Sequence, residues 1–145
     1  MKVTLMLADH AQAVGGKLYI SGGGWSVTGP EPMPFAIAID VKVPWHAIDI
    51  EHELRLDLID ADGQPVETET PDGPSPIFFE AAFQVSPSPG VKPGTPIDFP
   101  FAINLPPEPA IAPGGRYEWR LSIDGETRED WHLAFSTRPA EAEAA

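Results

Sequence analysis

The chain contains no cysteine among its 145 residues. Disulfides, zinc ribbons, iron–sulfur clusters and thiol nucleophiles are thereby excluded. Basic residues are scarce: 9 Lys and Arg stand against 22 Asp and Glu, giving a formal charge of −13. Nucleic acid and anionic membranes are held through clustered Lys and Arg, and the densest basic pair here is Arg116 with Arg120. Neither is expected as a partner, and the acidity reads as solubility. No apolar run approaches the roughly 18 residues of a membrane span. Residues 1–8 hold only a short apolar stretch, without a secretory core and cleavage site. A soluble, cytoplasmic protein is the expectation. Long helical patterns are also missing, and the 18 prolines fall mostly between alternating segments, which suits strands and loops.

What is present is alternation. The run Gly115 to Ile123 places Tyr117, Trp119, Leu121 and Ile123 on one side and stops at Asp124-Gly125, a dipeptide suited to tight hairpin turns. Trp131, Leu133 and Phe135 alternate after it, so residues 115–137 read as a hairpin with one apolar face that needs a second sheet to cover it. Val3, Leu5 and Leu7 give a first strand over residues 2–8, and Lys17 to Ile20 a short second one after Gly15-Gly16. Phe35 to Val43 is the cleanest internal strand. Pro44 to His52 reads as a connector with one helical turn. Leu54 to Asp60 and Gln64 to Thr70 flank Asp62-Gly63 as a second hairpin, and 71–76 reads as a loop. Residues 77–85 and 97–105 supply two more strands, with Pro100 confined to an edge, bulge or bend.

At this length one domain is expected. It occupies residues 1–138, with 139–145 as a flexible tail. Eight or nine short strands separated by Gly/Pro turns predict an all-β, antiparallel immunoglobulin-like sandwich. Tyr117 stands where such modules place a corner tyrosine. A small β-barrel is the alternative.

The segments Ala8-Asp9-His10-Ala11-Gln12, Gly16 to Ser26 (with Lys17-Leu18-Tyr19-Ile20 and Gly22-Gly23-Gly24-Trp25) and Pro34 to Ala38 form a signature. With Gly63-Gln64-Pro65-Val66, it resembles that of a bacterial, mainly actinobacterial, family of unknown function. The resemblance implies a single β-rich domain and supplies no catalytic residue.

Candidate chemistry is thin. Gly22-Gly23-Gly24 lacks the Lys and helix of a phosphate loop and reads as a bulge or tight passage, beneath Trp25. Asp9-His10 with Gln12 carries general-base or ligand chemistry at a strand end, against the simpler reading of a capping turn. His46 and His52 lie too far apart in an extended chain for one metal ion, so their segment reads as a solvated acidic loop. Ser21 and Ser26 lack a nucleophile elbow. Glu67, Glu69 and Asp72 are calcium-type ligands at what reads as a turn. Trp25 and Trp45 each sit in a loop, as partner anchors or as lids over a sandwich end.

These features favour a non-enzymatic module that binds a protein partner or itself as a homo-oligomer, without cofactor or metal. Residues 1–25 would contribute to assembly, because strand 2–8 carries little charge and no proline. Asp9, His10, Trp25 and Trp45 are the candidate interaction or ligand residues. The alternatives are a small-ligand carrier with a Trp25/Trp45 pocket, or a hydrolase centred on Asp9, His10 and Ser21.

Overall fold

The computed structural model describes residues 1–108 and 111–140. Its strands are β1 (Lys2–Val14), β2 (Lys17–Gly23), β3 (Val27–Thr28), β4 (Phe35–Val43), β5 (His52–Asp60), β6 (Glu67–Thr70), β7 (Gly73–Pro76), β8 (Phe78–Phe83), β9 (Ile97–Leu105), β10 (Arg116–Ile123) and β11 (Glu126–Thr137). A single 3₁₀ turn, Trp45–Ala47, joins β4 to β5, and no α-helix occurs among the described residues. The all-β class follows from the alternation that dominates the sequence.

One sheet has the order β2-β1-β4-β9, antiparallel throughout. The other runs β3-β11-β10-β5-β8, antiparallel except where β3 joins β11. They share one core. Val3, Leu7, Ile37, Ile39, Val41 and Val43 come from the first sheet, and Leu54, Leu56, Leu58, Trp119, Leu121, Trp131 and Phe135 from the second. Each such side chain contributes about 1.5–3 kcal/mol by leaving water, so period-2 patterning fixes which face each strand buries.

The first sheet is curled. Ala8, Ala11, Ala36 and Ala38 are buried in a separate small cluster, although Ala36 and Ala38 alternate with the core residues of β4. The far half of the β1–β2 hairpin bends over this face, making a half-barrel whose inside admits little more than methyl groups. Alternation along β1 slips between Ala8 and Ala11, where the β1–β2 ladder skips the position of Asp9 opposite Gly22. Gly22 has φ 62° there, and a side chain at that position would collide with Asp9. Glycine is required on both counts.

Several sequence expectations change. Strand one does not end at residue 8 but runs to Val14. It is paired to β4 along its first half and to β2 along its second, because Gly15-Gly16 closes a hairpin the apolar pattern did not announce. The expected 54–60/64–70 hairpin is reduced to one bridge, Ile59 with Pro65. Residues 67–70 pair instead with 73–76, within the segment expected to be a loop. The Asp60 carboxylate accepts from the Asp62 and Gln64 amides and closes the turn, but Leu58 then donates to the Ile77 carbonyl and Ile77 to that of Val66, so residue 77 inserts where the hairpin would continue. Within the C-terminal hairpin, Trp119, Leu121, Trp131 and Phe135 are buried, while Tyr117 and Leu133 are only partly so. Pro100 does lie on an edge strand, β9, opposite Asp40. Of the expected flexible tail, residues 141–145 lie outside the described residues, as do residues 109 and 110 of the Pro-rich connector.

Candidate functional site

The β1–β2 hairpin begins with its turn. Gly15 and Gly16 have φ 59° and 75°, the paired left-handed conformation of a two-residue type I′ hairpin. Val14 and Lys17, which flank it, are partners in the ladder. In such a hairpin the flanking pair exchanges both hydrogen bonds and the pattern alternates from there. The N–H and C=O groups of Leu18 and Ile20 therefore point away from β1, along the open edge of the sheet. On the other side of the hairpin, β4 stops pairing at Ala36, opposite Ala8. Asn104 of β9 takes over: its Nδ2 donates to the Ala11 carbonyl at 2.7 Å and its Oδ1 accepts from the Ala11 amide at 3.3 Å. One carboxamide thus replaces a strand where the half-barrel closes, possible only because Ala8, Ala11, Ala36 and Ala38 let the backbones approach.

Beyond Ala11 the hairpin is exposed, with Val14 54%, Tyr19 53% and Ile20 38% open to solvent. Other edges are guarded by familiar means. β9 carries Pro100 and an ion pair of Asp98 with Lys42 at 2.6 Å, a contact that holds the Asp98 carboxyl below the usual range. The outer part of β11 presents Glu126, Arg128, Glu129 and Asp130. On β8, Arg55 lies 4.2 Å over the exposed Phe78 ring. β2 has no proline and no acid. Lys17 is the only Lys, Arg, Asp or Glu between Asp9 and Glu31.

The sequence-predicted residues do not converge. His10 and Ser21 oppose each other across the β1–β2 ladder, both exposed. Asp9 does not end a strand at a rim; it sits mid-strand, folded against the Gly22 position. The glycine run is a tight passage, but Gly23 packs against Ile20 and Met6, not beneath Trp25. Trp25 is half-buried, its ring edge-on to Phe35 at 5.9 Å. Trp45 follows the opposite end of β4, so the two tryptophans are separated by the length of that strand, roughly 30 Å. They do not line one pocket. Glu67 and Glu69 lie on β6, and no group of three or more His, Asp or Glu is placed to hold a metal ion among the described residues. A depression of about 480 Å³ opens over β5 and β8, where Arg55 and Glu80 are already paired at 3.4 Å.

His52 corrects the solvated-loop expectation. It is buried at the start of β5, in phase with Leu54, Leu56 and Leu58, and that phase is legible in the sequence. Its Nε2 donates to the Ala47 carbonyl and its Nδ1 meets the Asp124 carboxylate, both at 2.7 Å. Two acceptors facing two ring nitrogens are both satisfied only by the imidazolium. Burial pulls its pKa down, but the Ala47 carbonyl and then Asp124 outweigh that and the net shift is upward. The His52 bond, with the Glu53 amide, lowers Asp124. With the His52 ring also packed on Phe83, the pair pins the β10–β11 turn to β5. Both ring nitrogens are thereby committed to holding the fold together.

A family model of unknown function, DUF6941, matches residues 3–136. The chain belongs to that family. No curated protein and no solved structure matches it. No helix is long and apolar enough to cross a membrane among the described residues.

Proposed function

We propose that this member of the family is a non-enzymatic interaction module that assembles with copies of itself through the β2 edge. One observation carries the reading: β2 is an edge strand of seven residues with outward amides, exposed Tyr19 and Ile20, and none of the proline or acidic charge that guards its neighbours. Unprotected edges are templates for strand addition. The enzymatic alternative has little to stand on, since Asp9 is folded onto Gly22 while His10 faces Ser21, leaving no acid–base–nucleophile relay.

An immunoglobulin-like arrangement is part of the proposal. With the β2 and β3 segments and the β6–β7 ribbon set aside as insertions, the orders β1-β4-β9 and β11-β10-β5-β8 correspond to strands A-B-E and G-F-C-C′ of such sandwiches. Tyr117, near the start of β10, donates its hydroxyl to the Ala112 carbonyl at 3.1 Å, as a corner tyrosine does before strand F. In that frame β2 is an addition to the sandwich, extending its A-B-E sheet by one strand.

Sedimentation velocity over a range of micromolar concentrations tests the assembly. A mass that rises towards twice 15.6 kDa is expected. A single monomeric species at every concentration overturns the reading.

A further inference from the structure

We infer that β2 pairs antiparallel with β2 of a second copy, with Ile20 on the two-fold axis, fusing two four-stranded sheets into one eight-stranded sheet. This rests on the assembly reading above and adds its partner surface and register.

The register comes from the hairpin itself. Because Val14 and Lys17 flank a two-residue turn, the outward positions of β2 are Leu18 and Ile20; Gly22 follows in the same phase, but its φ of 62° and the skipped pair with Asp9 interrupt the extended ladder there. Ile20 is the midpoint of Lys17–Gly23, so a two-fold axis there overlaps the whole strand. It sets Ile20 against its own mate and Leu18 against Gly22 of the second copy. Tyr19 meets Ser21, so on either side of the self-opposed Ile20 pair each large side chain lies opposite a small one. Shifting the axis by a residue in either direction shortens the overlap and removes those matches. An isologous interface demands such self-complementarity.

Self-complementarity of the register selects a second copy of this chain, and charge restricts where it can approach. Two molecules of −13 repel over most of their surfaces. The run from His10 to Pro30 contains no acid, and the Asp9 carboxylate lies against Gly22 at the far end of β2, so approach along Leu18 to Ser21 brings few like charges together. Edge-to-edge approach through β11 would instead bring the acids Glu126, Glu129 and Asp130 of one copy beside those of the other, with only Arg128 among them.

The absence of cysteine makes the register measurable by oxidative cross-linking of the intact chain. Cα atoms of a self-opposed, hydrogen-bonded pair lie about 5.5 Å apart, within disulfide reach. Ile20→Cys should form a covalent dimer in high yield. Leu18→Cys, whose mate lies roughly 14 Å away in this register, should not. An equimolar mixture of Tyr19→Cys and Ser21→Cys, which keeps Ile20, should give the mixed disulfide well above either variant alone. That second arm covers any loss of association caused by replacing Ile20. A protein that dimerises by sedimentation but links through Phe78→Cys on β8, or through neither β2 arm, overturns the inference and leaves self-assembly standing. A monomer at all concentrations overturns both. Linking of Leu18→Cys with equal efficiency to Ile20→Cys overturns the register.

Discussion

The hairpins closed by Gly15-Gly16 and by Asp124-Gly125 use the same turn chemistry. In both, two consecutive residues have positive φ and the flanking residues pair directly. The fold treats them in opposite ways. The second is sunk into the core through Trp119, Leu121, Trp131 and Phe135, and its turn is tied to β5 because Asp124 bonds both His52 and the Glu53 amide. The first is held at its base by one carboxamide, Asn104, and beyond Ala11 it is open to solvent. Local turn propensity therefore makes a hairpin, but tertiary contacts decide whether it becomes scaffold or a free edge.

The largest test of that contrast is Trp119→Ala. Truncating a buried aromatic in the anchored hairpin should lower unfolding free energy by about 3–5 kcal/mol, measured by denaturant titration. An unchanged midpoint would mean that the Asp124 hairpin is not the scaffold.

The His52–Asp124 tie comes next. His52→Ala leaves the Ala47 carbonyl without its donor and Asp124 without its cation. It should cost about 1.5–3 kcal/mol, towards the lower end because Asp124 is half exposed. The pH dependence follows from the two shifts. His52 is raised, so its contribution is complete below the unfolded value near 6.5 and is lost as pH rises through the folded value. Asp124 is lowered, so its contribution is complete above about 3.8 and is lost as pH falls through the folded value. The pair stabilises most between those limits. Subtracting a His52→Phe stability profile from that of the parent should leave a difference that declines on the alkaline side. A flat difference refutes the imidazolium assignment.

Asn104→Ala should be milder, about 1–3 kcal/mol, because it strands the amide and carbonyl of Ala11 at the closure of the half-barrel. Hydrogen exchange at the Ala11 amide should accelerate, while the amides of β10 keep their protection. Equal loosening of both hairpins would show that they are not energetically separate.

The anchored region was the more legible from sequence. Period-2 alternation names Ile37, Ile39, Val41, Leu54, Leu56, Trp119 and Phe135 because each trades water for one shared core. The candidate site was harder. Gly15-Gly16 carries turn information, but the small residues around Ala8 and Ala11 carry no amphipathic signal, so the apolar pattern ends strand one at residue 8. Nothing local in Asn104 predicts that it bonds to a backbone 93 residues away. His52 is in phase with the core leucines, yet its acidic neighbours Asp49 and Glu51 give its segment the composition of a solvated loop. Alternation speaks to which side a residue faces and is silent on how tightly a sheet curls.

The smallest expected stability change is at Tyr19, on the free hairpin. It is 53% exposed, so Tyr19→Ala should shift unfolding of the dilute protein by no more than about 0.5 kcal/mol. If β2 is the assembly edge, the same substitution removes an aromatic that lies across Ser21 of the second copy. Self-association should then weaken on the order of tenfold, about 1.4 kcal/mol. Paired chemical denaturation and sedimentation separate the two effects. A loss of stability without a change in association would make the β1–β2 hairpin a second scaffold element, and the contrast between the two hairpins would fail. Weakened association with unaltered stability is the signature of an edge kept free for a partner.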